Sequence, residues 1–208
     1  MMSDDETFEA IADERRSLAN TLETLTPAQW DHASLCGEWT VRDVAAHLVA
    51  PLVVPMWRFG VLMLRARGNF DEANKMMTDM VVRQHGSELV SLLRDRADKR
   101  FTPPGRGPAA PLTDIVVHAL DICRPLGIAR SSPDDRRVVV LDHVTGLRGR
   151  DAFAHSAAAV RWEATDIDWS HGDGPTVQGT ADTLMLAITG RRGVVEELSG
   201  DGVSLLGA

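Results

Sequence analysis

The chain has 208 residues, 44% of them apolar and 25% charged. This is ordinary globular composition for one large domain or two unequal ones, and it excludes wholesale disorder. Set against 30 Asp and Glu, 22 Lys and Arg leave a net charge of −8, which lacks the electrostatics of a general nucleic-acid binder, and two cysteines do not make a disulfide framework.

The N-terminal residues Met1 to Asp5 are acidic and lack the basic and apolar segments of a secretory signal. Phe8, Ile11, Arg15, Leu18, Leu22 and Leu25 recur at helical spacing. Thr26-Pro27-Ala28-Gln29 is a second helix start, with a Thr cap, Pro in the first turn and Gln three residues after the cap. Cys36 to Trp39 reads as a turn, and Thr40-Val41-Arg42-Asp43 has capping-box spacing. The most apolar stretch follows, from Val44 to Leu64. Its uncharged part, Val44 to Trp57, is too short to span a bilayer, so a buried helix is expected, with no membrane partner. Pro51 deprives the His47 carbonyl of its helical partner and Pro55 does the same for Pro51, so a bend is expected close to His47.

Asn69 to Lys99 reads as one or two helices broken near His85-Gly86. Thr102 to Pro111 is a Pro/Gly-rich loop, Leu112 to Leu126 a helix closed by Pro125 and Gly127, and Pro133 to Arg148 another helix. Past Asp151 the period changes. Val160 to Thr165 alternates as a half-buried strand does, Gly172 to Pro175 is a hairpin-like turn, and Thr176 to Gly179 can be the partner strand. Ala181 to Ile188 reads as a helix and Val203 to Leu206 as a last short strand. The expected architecture is mainly α: a helical bundle over residues 1–150, then a small α+β module over 151–208.

Of seven histidines, His47 and His118 sit inside strongly apolar helices, where an imidazole needs a hydrogen-bond partner or a metal. Asp114 precedes His118 by four residues, so both project from one helix face. Two histidines and a carboxylate suit zinc or a similar divalent ion. On spacing alone a pair of core histidines with ordinary partners is the favoured reading, since Asp43–His47 and Asp151–His155 repeat the interval. His85, His143, His155 and His171 fall near turns or polar faces and read as surface residues, and Trp57, Trp162 and Trp169 as core. Cys36 has no base identifiable beside it in sequence, and Cys123 reads as core.

The run from Leu35 to Leu48 (LCGEWTVRDVAAHL) resembles the signature helix of the mycothiol-dependent maleylpyruvate isomerase family, part of the DinB-like metal-binding bundles. Asp114 to Gly127 is similar to that family's second metal motif, and Ala164 to Trp169, Leu184 to Arg191 and Leu198 to Val203 to its C-terminal module. The resemblance implies a DinB-like four-helix bundle followed by a small α+β domain. It implies metal ligands at His47, Asp114 and His118, with Asp114 standing where the family pattern has Glu. It further implies a divalent metal, zinc first, and mycothiol, a low-molecular-weight thiol, as cosubstrate. Arg191 matches an arginine-bearing segment of the family's tail and is the catalytic candidate, binding a substrate carboxylate; the alternative is a helix-capping arginine. Arg192 competes for that role, and Arg124 either serves an anion near the metal helix or ends its own helix.

The function so implied is a cytoplasmic thiol S-transferase or cis–trans isomerase acting on a small, anionic electrophile through a metal-activated thiolate, monomeric or homodimeric, with no nucleic-acid partner. A metal-dependent hydrolase on the same bundle and a non-catalytic metal or small-molecule binder are the alternatives.

Overall fold

The computed structural model describes residues 2–146 and 159–206. The chain opens with α1 (Asp4–Glu23) and the single turn α2 (Pro27–Trp30). Next come α3 (Val41–Val53), α4 (Met56–Arg65), α5 (Phe70–His85) and α6 (Leu89–Asp95), followed by α7 (Ala109–Cys123) and α8 (Asp134–Thr145). α1, α2 and α3 each start on a full capping box: Ser3 with Glu6, Thr26 with Gln29 and Thr40 with Asp43. Each box gives two end-of-helix N–H groups a partner, which fixes where the helix begins.

Helix α7 lies at the centre, packed on α1, α3, α8 and the helix of the C-terminal region, while α3 packs on α5, α6 and α7. Ile11, Leu18 and Leu22 of α1, Val44, Leu48 and Leu52 of α3, and Leu112, Ile115 and Ile122 of α7 are buried in one continuous core. Arg15, on the apolar face of α1, is buried as well, and its Nη1 donates to the carbonyls of Ala97 and Lys99 at 2.9 and 2.8 Å.

Pro51 is accommodated inside α3, and the break falls one turn later. Val54 is extended (φ −88°, ψ 122°), as a residue before proline prefers, and Pro55 opens α4. The freed carbonyls at the end of α3 meet cations: Lys99 Nζ donates to Pro51 and Leu52, and Arg96 Nη1 to Leu52, at 2.8 to 3.3 Å.

After the bundle come β1 (Arg161–Ala164), β2 (Ser170–His171), β3 (Thr176–Gly179) and α9 (Ala181–Ile188), then short 3-10 turns at Arg192–Glu197 and Asp201–Leu205. The sheet order is β2-β1-β3. β1 pairs antiparallel with β2, Trp162 opposite His171, and parallel with β3, Trp162 opposite Val177. Thr176 to Gly179 is therefore a partner of the first strand, as expected, but in parallel, because β2 intervenes and the chain crosses to the other edge. The expected last strand at Val203 to Leu206 is instead a 3-10 turn. The outer edge of β3 is closed by the Gln178–Ser199 bridge. Gly200 follows at φ 101°, where a Cβ would collide with the Thr176 carbonyl oxygen.

The sheet is pinned to α8 by Trp169 Nε1, which donates to Asp142 at 2.9 Å, and by Arg137, which bridges Asp134 and Asp166. Asp166 also accepts the Ala181 N–H at 2.7 Å, fixing the start of α9. The C-terminal end of α9 is thereby carried to α7. The expected boundary at residue 150, the expected end of α8 at Arg148, and the Asp151–His155 pair lie outside the described residues.

Candidate metal centre

His47 lies mid-way along α3, one turn before Pro51, and Asp114 and His118 lie one turn apart on α7. Because α3 and α7 pack side by side, the three meet. Nε2 of His47 is 3.3 Å from Asp114 Oδ1, and Nε2 of His118 is 3.5 Å from the same oxygen. The three candidate ligand atoms all lie within 4.8 Å of one another. A tetrahedral ion with bonds of about 2.0–2.1 Å has ligand–ligand edges of about 3.3–3.4 Å. Two edges here match that value, so an aspartate in place of the longer glutamate reaches the site. The two imidazoles are 12 and 15% exposed, while the carboxylate, at 39%, is the open side of the triad.

The His118 ring is oriented from behind. Its Nδ1 is 2.8 Å from Oδ2 of Asp121, which is fully buried. The ionised carboxylate only accepts, so Nδ1–H donates, and Nε2 is left to face Asp114. Asp121 is held in turn by Arg191, whose Nε and Nη2 donate to the two carboxylate oxygens at 3.0 and 2.6 Å. Arg191 Nη1 donates to the Thr189 carbonyl at 2.8 Å, and Nη2 lies 3.8 Å from Cys36 Sγ. His47 is packed against Trp39, ring centroids 5.2 Å apart, and its Nδ1 is buried with no partner among the described residues.

The electrostatics follow from these contacts. Burial raises the Asp114 pKa, but His47, His118 and Arg15 outweigh it, and the carboxyl is held at about 2. Burial lowers the pKa of His118, but Asp121, Cys36 and Asp114 outweigh that and push it up to about 10. Without a metal, His118 is thus an imidazolium between carboxylates. A divalent cation would take the place of that proton, and two imidazole nitrogens with one carboxylate oxygen are a donor set that zinc accepts.

The triad opens into a cavity of about 770 Å3, which Arg15, His143 and Arg191 also line. The structure brings His47, Asp114 and His118 together, and Arg191 lines the same cavity. His143 was expected at the surface, but it lines the cavity wall. Trp57, expected in the core, is 67% exposed, whereas Trp162 and Trp169 are buried. Arg124 is engaged by Glu197 and Thr183, and Arg192 is exposed.

One residue at the centre, Asp121, has no place in the sequence reading, although it follows His118 by three residues on one helix, a spacing that signals contact. Cys36, for which the sequence shows no neighbouring base, is brought in by a long-range bond, Leu35 N–H to the Asp121 carbonyl at 3.1 Å, which no local pattern announces.

Residues 11–100 match the family described as the mycothiol maleylpyruvate isomerase N-terminal domain. The matched stretch contributes Arg15, Cys36 and His47 to the site, while Asp114, His118, Asp121 and Arg191 lie beyond it. Among solved structures, that of the mycothiol-dependent maleylpyruvate isomerase is similar at a TM-score of 0.66 and 13% identity, over 96% of this chain and 93% of that one. A structure of the same enzyme with a histidine-to-alanine mutation gives 0.67 and 12%, with the same coverage. At this identity the likeness shows a shared fold, mainly helical with a small sheet, along nearly the whole chain. No curated protein matches the sequence. Among the described residues no helix is long and apolar enough to cross a membrane.

Proposed function

We propose that the chain is a metal-dependent, mycothiol-using enzyme, a thiol S-transferase or cis–trans isomerase acting on a small electrophile. The observation that carries this reading is the placement of Asp114 Oδ1 at tetrahedral-edge distance from both His47 Nε2 and His118 Nε2 on the wall of an open cavity. The fold it shares with a mycothiol-dependent maleylpyruvate isomerase supports the choice of thiol. In this reading residues 1–150 supply the metal ligands, 151–208 supply Arg191, and the protein works in the cytoplasm, where its two unpaired cysteines stay reduced.

A divalent metal, zinc first, would be held by His47, Asp114 and His118, and bound there it stabilises a thiol as thiolate at neutral pH. Asp121 fixes the His118 tautomer that offers Nε2, and Arg191 fixes Asp121. The three residues face the cavity, from which a thiol sulfur would reach a metal that they hold. The sulfur adds to an electrophilic alkene carbon, and the alkene electron pair moves to the neighbouring carbon, which takes up a proton. Loss of thiol and proton after rotation about the new single bond gives the trans isomer, and retention gives the thioether.

Arg191 differs from expectation in one respect. Of the five N–H groups of a guanidinium, Asp121, Thr189 and Cys36 occupy four. A substrate anion would meet the remaining Nη1 N–H by a single hydrogen bond rather than by the fork, and Arg191 acts on the chemistry mainly by positioning Asp121.

The test is metal analysis of the purified protein, then turnover of an electrophilic cis-alkene with and without mycothiol. Thiol-dependent loss of the alkene supports the reading. Metal-dependent hydrolysis without thiol would replace it with the hydrolase, and binding without turnover would replace it with a sensor or carrier.

A further inference from the structure

We propose that the electrophile taken by this cavity is amphipathic: an aryl or alkyl body joined to a single anionic head, and not a small dicarboxylate. The inference rests on the functional reading above for where the reaction occurs. The cavity holds about 770 Å3, a size that encloses a drug-sized organic molecule. More than half of its lining residues are apolar, among them Leu48, Phe59, Phe70, Met77, Phe101 and Pro104. These six come from α3, α4, α5 and the α6–α7 connection, so the apolar wall is assembled by the tertiary fold and is not one helix's chance face. Phe59 and Phe70 pack edge to face with centroids 5.7 Å apart, and Phe70, 60% exposed, is on the rim.

Such a wall offers no hydrogen bonds to a second carboxylate, and water against it is released favourably by an apolar group. The charged lining is mixed: Arg15, Arg106 and Arg191 stand with Asp71 and Asp114 around the cavity. An anionic head has cations to meet beside the triad, and the apolar wall is left for the body of the molecule, which a small dicarboxylate would not fill.

The probes are unreactive N-alkylsuccinamic acids from methyl to hexyl, with succinate as the dianionic control, titrated calorimetrically into the full-length metal-loaded protein. The dissociation constant is expected to fall by about fourfold for each added methylene, with succinate binding more weakly than the hexyl compound by two orders of magnitude or more. Phe70→Ser on the exposed rim and Phe101→Ser should each flatten the gradient. The reactive counterparts, N-alkylmaleamic acids, then test turnover with mycothiol, the sulfur adding across the cis double bond as above, and kcat/KM should rise along the same series. A gradient in binding without thiol-dependent turnover keeps this inference and rejects the thiol enzyme. Thiol-dependent turnover with flat binding and flat kcat/KM keeps the enzyme and overturns the inference. Tightest binding by succinate also overturns it.

Discussion

Nδ1 of His118 and Oδ2 of Asp121, three residues apart on α7, are 2.8 Å apart, and Asp121 is fully buried. That bond turns a histidine in an apolar helix into a ligand with one defined free nitrogen. Asp121→Asn keeps the shape but removes the charge that holds both His118 and Arg191. Metal affinity should fall by about 10- to 100-fold, measured by competition with a chromophoric chelator. An affinity equal to that of the wild type would mean that the ring is oriented by something else.

The same substitution breaks a buried ion pair, Arg191 with Asp121, whose side chains are 11 and 0% exposed. Removing one partner of such a pair costs about 3–5 kcal/mol, so the melting temperature should drop by about 10 °C in a chain of this size. Replacing both, as Asp121→Asn with Arg191→Met, should recover part of that loss, because no charge is then left unpaired.

Arg191→Lys should not rescue the activity lost in Arg191→Ala. A lysine ammonium cannot span both oxygens of Asp121 as Nε and Nη2 do. Steady-state kinetics with mycothiol should show both variants reduced in kcat/KM by about tenfold or more, on the loss of charge-assisted hydrogen bonds of about 1.5–3 kcal/mol. Wild-type kinetics in the lysine variant would remove the fork from the account.

Asp114 Oδ1 already lies at tetrahedral-edge distance from both imidazoles. Asp114→Glu adds a methylene to a site whose helices are spaced for the shorter side chain. It should lower metal affinity by about tenfold, one part of the cost of overfilling a fitted site. Tighter binding by the glutamate variant would show that α3 and α7 sit closer here than the metal prefers.

Asp182, on the first turn of α9, is buried, and its Oδ1 has no partner among the described residues. Burial raises its pKa, opposed by Arg137 and Arg124. A carboxyl raised on folding binds more protons folded than unfolded, so its cost is absent below the ordinary carboxylate range and grows as pH rises through it. Asp182→Asn should therefore raise the melting temperature at pH 7 by about 2–4 °C, for about 1 kcal/mol. The gain should vanish near pH 3, and a gain that persists there would refute the assignment.

The helix starts were legible because each cap is a short-range hydrogen-bond pattern, as at Thr26–Gln29 and Thr40–Asp43. Asp114 and His118 were legible for the same reason, lying one turn apart on one helix. The position of His47 opposite them depends on how α3 packs on α7, which the resemblance supplied and spacing did not. Cys36 and Arg191 meet Asp121 only through contacts between residues 70 or more apart. The parallel pairing of β1 with β3 was missed because two-residue β2 carries no period of its own. Trp57 was read as core from its apolar neighbours, but α4 turns that face outward.

A divalent ion at His47, Asp114 and His118 is the premise of the proposed chemistry. Elemental analysis of the untagged protein should find about one divalent ion per chain, lost in His47→Ala, with chelator lowering the melting temperature of the wild type and leaving that of the variant unchanged. Metal-free wild-type protein whose melting is indifferent to both chelator and added zinc would contradict it.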